Sequence, residues 1–146
     1  MKVGDYFRHR KRWWLGLHEK GGRRHEVPCH PTLEEYLNAS IAAAGISRDK
    51  EGPLFRTMSR GDKLGVRPRS RFDVLHMVKR QAEAAALLFS TYCHTFRATG
   101  ITTYLENGGT LEHAQAIANH ESPRTTQLYD RTREELSFEE VERIKI

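Results

Sequence analysis

The apolar pattern of this chain changes period near Pro28, and that change limits the fold more than any other feature. Before it, Trp13-Trp14-Leu15-Gly16-Leu17-His18 and Arg24-His25-Glu26-Val27-Pro28 read as two short strands. Glu19-Lys20-Gly21-Gly22-Arg23 lies between them, and its two glycines reach positive φ without strain, so the pair reads as a hairpin. Val3 to Phe7 adds a candidate edge strand. After Pro28 helical spacing dominates. Leu33, Tyr36, Leu37, Ile41 and Ala44 recur at helical intervals between Pro31-Thr32 and a stop at Gly45. Pro53-Leu54-Phe55 reads as a short buried strand or turn, and Arg60 to Arg69 as a glycine- and arginine-rich loop. Ser70 caps a long helix to about Leu88, with Phe72, Leu75, Val78, Lys79 and Ala82 on or near one stripe.

After a break at Ser90-Thr91-Tyr92, His94 to Glu106 reads as helix, closed by Asn107-Gly108-Gly109. Thr110 starts another over Leu111 to Ala118, and Ser122-Pro123 starts a third that contains Tyr129. Ser137, with Glu140 at the capping-box position, opens a last helix bearing Phe138, Val141 and Ile144. The expected fold class is mainly α with one small antiparallel β-sheet (α+β), and 146 residues suffice for one domain with one core.

The formal net charge of +5 favours a polyanionic partner, although charge alone is a weak indicator. Two well-separated cysteines, Cys29 and Cys93, fit a reducing compartment rather than a disulfide framework. No apolar run approaches the roughly 18–20 residues that span a bilayer. The first residues lack the apolar middle of a secretory signal. The expectation is a cytoplasmic protein with no membrane partner.

Four residues carry candidate chemistry. His94-x-x-Arg97 puts both side chains on one helix face. Arginine can fork onto a phosphate, and histidine can donate to an oxyanion or move a proton near neutral pH. His120 falls at a helix end just before the Ser122 cap. Tyr129 supplies a hydroxyl, which attacks well only when a base takes its proton or cations stabilise its oxygen. Taken singly, each has a plainer reading: a surface His-Arg pair, a structural histidine, a packed aromatic. Cys29-His30, Cys93-His94, His25 and His120 also raise the idea of zinc. None has the spacing of a structural zinc site, so neither metal nor cofactor is expected.

In combination, these residues resemble the catalytic end of the tyrosine recombinases, the phage-integrase family. Thr95-Phe96-Arg97-Ala98-Thr99 resembles the family's helix after the histidine. Ala118-Asn119-His120-Glu121-Ser122 resembles its Leu-Gly-His-Ser-type turn, with Asn119 in place of the usual glycine. Thr125-Thr126-Gln127-Leu128-Tyr129 resembles its nucleophile helix, and Glu19 to Pro28 its lysine-bearing hairpin.

The resemblance implies that Tyr129 attacks a DNA phosphate to give a 3′-phosphotyrosyl link. It implies that Arg97, His94 and His120 stabilise the transition state, and that Lys20 protonates the leaving 5′ oxygen. It further implies double-stranded DNA as partner, no cofactor, and a homo-oligomer on DNA joined by the C-terminal helix, which could equally fold back on its own core. Arg8, Arg10, Lys11, Arg12 and the Arg60–Arg71 loop would hold DNA phosphates. The family has a further catalytic arginine on a helix upstream of these strands, and a separate DNA-clamping domain. Met1 lies too close to Lys20 for that helix, so the expectation is an N-terminally truncated catalytic domain. The alternative expectation is a catalytically inactive remnant that acts as a DNA-binding module.

Overall fold

The segments before Pro28 pair as their alternation suggests. A computed structural model describes residues 1–18, 21–59, 61, 63–87 and 91–130. In it β1 (Tyr6–His9), β2 (Arg12–His18) and β3 (Arg24–Pro28) form an antiparallel sheet in the order β1-β2-β3. Leu15 of β2 pairs with Tyr6 on one side and Val27 on the other, so all three lie on one face of the sheet. Tyr6 stacks on Trp13 with ring centroids 4.3 Å apart, and its hydroxyl donates to Asn38 Oδ1 at 3.1 Å. Burial pushes that hydroxyl up to about 12.

The chain's first residues are laced to a later segment. Val3 N–H donates to the Gly52 carbonyl at 2.9 Å, Gly4 N–H to Lys50 at 2.8 Å, and Leu54 N–H to Met1 at 3.1 Å. A Cβ on Gly4 would come within 3.0 Å of the Lys50 carbonyl oxygen, so this close approach suits glycine. The lacing buries Val3 and Leu54 in one core with Tyr6, Leu15, Leu37 and Ile46.

α1 (Pro31–Ala44) begins and ends where its punctuation predicts. The His30 ring accepts from Thr32 N–H, Pro31 occupies the first turn, and Gly45 ends the helix at φ 65°. Leu37 is buried with Ile41 and Ala44 against the core, whereas Tyr36 is 70% exposed. The buried stripe is therefore narrower than the sequence pattern.

A second strand pair appears, one strand before the expected Arg60–Arg69 loop and one within it. β4 (Arg56–Met58) and β5 (Leu64–Pro68) pair antiparallel, with a register irregularity between Arg56 and Met58. These short strands carry no clear apolar alternation, and the irregularity breaks the period that would have marked them. The described residues thus hold two small antiparallel sheets rather than one, and the α+β class stands.

α2 (Arg71–Ala84) starts at the expected Ser70 cap. Ser70 Oγ accepts from Asp73 N–H at 3.1 Å, while Ser70 donates its N–H and hydroxyl to the Asp73 carboxylate. Those bonds hold the Asp73 carboxyl below its ordinary value. The helix stops short of Leu88, and Phe72 is 74% exposed instead of sharing the half-buried stripe of Leu75, Val78 and Ala82.

The chain divides into two compact units, Met1–His76 and Met77–Ile146. The second contains α3 (Cys93–Glu106), α4 (Leu111–Ala118) and α5 (Pro123–Gln127). Ile101 and Leu105 of α3 pack on Ala114 and Ala118 of α4, with Tyr104, Leu111 and Tyr129 around them. Gly108, at φ 80°, turns the chain after α3. Thr110 Oγ1 then accepts from His113 N–H to start α4.

α5 is shorter than expected, and Tyr129 lies beyond it rather than within it. Tyr129 N–H donates to the Thr126 carbonyl and Asp130 N–H to Gln127, both three residues back, so the helix tightens as it ends. The expected last helix from Ser137 lies outside the described residues, as do Lys20 and Arg60. Among the described residues, no helix is long and apolar enough to cross a membrane.

Leu37 and Tyr36 separate the buried and exposed faces of α1. Leu37→Ala is expected to lower the unfolding free energy by about 2–4 kcal/mol in urea denaturation. Tyr36→Ala is expected to change it by less than about 0.5 kcal/mol.

Candidate active site

The end of α4 is the anchor of the site. Asn119 adopts the left-handed conformation (φ 49°, ψ 45°) and caps the helix. Its N–H donates to the Ala116 carbonyl, and His120 N–H donates to the Gln115 carbonyl at 3.1 Å. This pair of bonds is a Schellman turn, which usually takes glycine at the left-handed position. Asparagine is among the few other residues that tolerate it. Gln115 then reaches forward, donating Nε2–H to the His120 carbonyl at 3.0 Å. The backbone of His120 is thereby held from both sides.

The ring of His120 is held as well. Its Nδ1 lies 2.9 Å from Oγ1 of Thr126, which is 0% exposed. The ring also stacks on Tyr129, with centroids 5.9 Å apart and planes 21° from parallel. Burial lowers the pKa of His120, and the charges of Arg97 and His94 lower it further.

α3 brings the other two residues. His94 and Arg97 both project from its first turns and are exposed. Arg97 Nη2 donates to the Ala118 carbonyl, placing a guanidinium at the negative end of α4. Guanidinium has five N–H donors, so this bond leaves others for an anion. His94 Nε2 lies 3.5 Å from the Tyr129 hydroxyl. Tyr129 is half-buried against the α3–α4 core, and its carbonyl accepts from Thr102 Oγ1 at 3.4 Å.

His94, Arg97, His120 and Tyr129 therefore come together, as the family resemblance implied. Arg97 also borders a groove of about 320 Å³ between α3 and α4, but the rest of its lining carries no charge, so the groove does not suit a phosphate. Lys20, the fifth candidate, lies outside the described residues. Two supporting residues escaped sequence reasoning, Gln115 and Thr126. Thr126 sits in the run before Tyr129, but its burial follows from the packing of α5 on α4, which no periodicity in a five-residue helix reveals. Among the described residues, no three His, Cys, Asp or Glu side chains are grouped so as to hold a metal ion.

A family model described as the phage integrase family matches residues 1–135. The chain belongs to the phage integrase family. Tyrosine recombinase XerD of Staphylococcus saprophyticus is 32% identical over 113 residues, covering 75% of this chain and 36% of that protein. Tyrosine recombinase XerC of Rhodospirillum centenum is 32% identical over 111 residues, covering 75% of this chain and 30% of that protein. The chain thus spans about a third of the length of these curated relatives. Two solved structures share the fold. A XerA recombinase matches with a TM-score of 0.62 and 17% identity, covering 99% of this chain and 47% of that one. A XerH site-specific recombinase, bound to palindromic difH substrate in a post-cleavage complex, matches with a TM-score of 0.64 and 19% identity, covering 98% and 39%.

The left-handed turn at Asn119 is testable. Asn119→Gly is expected to stay within about 1 kcal/mol of wild type, and the β-branched Asn119→Val to lose about 1–3 kcal/mol, by urea denaturation. The lowered pKa of His120 has a definite sign. The unfolded chain binds a proton there more readily, so His120's contribution to stability is complete above the ordinary histidine value of about 6.5 and is lost as pH falls below it. Replacing His120 with Gln is expected to flatten the decline in melting temperature between roughly pH 7 and pH 5. An unchanged decline would contradict the environment described.

Proposed function

We propose that this chain cuts and rejoins DNA strands at specific sites through a covalent tyrosyl intermediate. The observation that carries the reading is the Tyr129 hydroxyl 3.5 Å from His94 Nε2, in a cluster completed by Arg97 and His120. A phosphodiester entering that cluster meets a nucleophile, a proton acceptor and two phosphate-directed donors.

In the proposed reaction Tyr129 Oη bonds to phosphorus and the bond to the 5′ oxygen breaks. His94 receives the tyrosine proton, and the leaving 5′ oxygen takes a proton from Lys20. Arg97 and His120 offset the charge that builds on the phosphorane oxygens, a contribution of the kind supplied by preorganised oxyanion donors. The phosphotyrosyl link conserves the bond energy. A 5′ hydroxyl from another strand can then reverse the step, with no external energy source. Exchange between two duplexes needs more than one copy of the site, so a homo-oligomer on DNA is part of the proposal.

Double-stranded DNA is the proposed substrate. It is supported by family membership and by the XerH neighbour, whose structure holds its difH substrate. Arg10 and Lys11 form the exposed tip of the β1–β2 hairpin, between Arg8 and Arg12. Lys63, Arg67 and Arg71 are exposed in and after the β4–β5 hairpin. Such residues hold phosphates and position a duplex without reading its sequence.

A nicked suicide substrate tests the reading. After denaturation, protein is expected to remain covalently bound to DNA, and Tyr129→Phe to abolish the adduct. Arg97→Ala is expected to lower its rate of formation by about 10²–10³. Salt-sensitive DNA binding without an adduct would instead mark a DNA-binding module that does not cleave. Absence of DNA affinity even at low salt would overturn both.

A further inference from the structure

Thr126 is buried completely, yet it is polar and stands six residues from His120 on the next helix. Its hydroxyl lies 2.9 Å from His120 Nδ1. The remainder of the His120 environment fixes the backbone and one ring face: the Schellman turn, the Gln115 amide at 3.0 Å and the Tyr129 ring. None of these chooses which ring nitrogen carries the proton. Thr126 is the one group in that set that can.

The choice matters because a neutral imidazole has a single N–H. Burial and the neighbouring charges of Arg97 and His94 favour the neutral ring. To donate to a phosphate oxygen, the ring must keep its proton on the nitrogen away from Thr126. We propose that Thr126 is a positioning residue whose hydroxyl donates to Nδ1 and so holds His120 as the Nε2–H tautomer, ready to donate to a phosphate. This rests on the reading of His120 as a phosphate ligand. The opposite arrangement has a physical basis too. A hydroxyl on a helix can donate to the carbonyl four residues back, which would make it accept from Nδ1–H and leave Nε2 without a proton.

Side-chain 15N NMR of the full chain decides between them, because protonated and bare imidazole nitrogens resonate far apart. At neutral pH, His120 is expected to show a protonated Nε2 and a bare Nδ1. Thr126→Val keeps the shape and the burial but removes the hydroxyl, and should give averaged signals from both tautomers. Thr126→Ser should restore the wild-type pattern, and the amide spectrum of each variant checks that it is folded. With the nicked substrate, Thr126→Val should slow adduct formation roughly tenfold or more, with rescue in Thr126→Ser.

A protonated Nδ1 in the wild type, or an Nε2–H tautomer unchanged in Thr126→Val, would overturn the proposal. If the tautomer shifts as expected but wild-type protein forms no adduct, the positioning stands and the strand-cleavage reading fails.

Discussion

The left-handed turn at Asn119 is the constraint on which the rest of the site depends. It stops α4 at Ala118, and the stop leaves a carbonyl for Arg97 to bond. It reverses the chain so that His120 N–H closes on Gln115. It also sets the start of α5, whose Thr126 and following Tyr129 then meet the His120 ring. A single backbone conformation thus couples three helices. Straightening it would uncouple Arg97 from α4 and separate His120 from both partners on the α5 side.

The electrostatics follow from that geometry. Arg97 at the end of α4 is favoured by the helix dipole and still has donors to spare. His94 and Arg97 raise the cost of a charge on His120, and burial raises it more.

Much of this was legible in sequence where a local signal coincides with a tertiary one. Pro31, Gly45, Ser70 and Thr110 mark helix ends through bonds that involve only neighbouring residues, and those ends fall where expected. The β2–β3 hairpin was legible because Gly21 and Gly22, at φ 86° and 77°, announce it. The β4–β5 pair was not, because β4 has only three residues and its register with β5 is broken. The position of Tyr129 after α5 escaped for a related reason. A change from four-residue to three-residue hydrogen bonding leaves no mark on side-chain spacing. In the site, His94, Arg97, His120 and Tyr129 stood out only in combination, through the family resemblance, whereas Thr126 and Gln115 make contacts that only the packed helices create.

The central proposal is that four side chains, from α3, the Asn119 turn and the turn after α5, share one DNA phosphate. A crystal structure of the chain bound to a nicked duplex, with Tyr129→Phe to arrest cleavage, tests it most directly. The account predicts the scissile phosphate within hydrogen-bond distance of Arg97 and of His120 Nε2, with the residue-129 ring facing phosphorus opposite the 5′ oxygen. A duplex seated with its phosphate beyond reach of Arg97 and His120, or with ring 129 turned away from phosphorus, would contradict it.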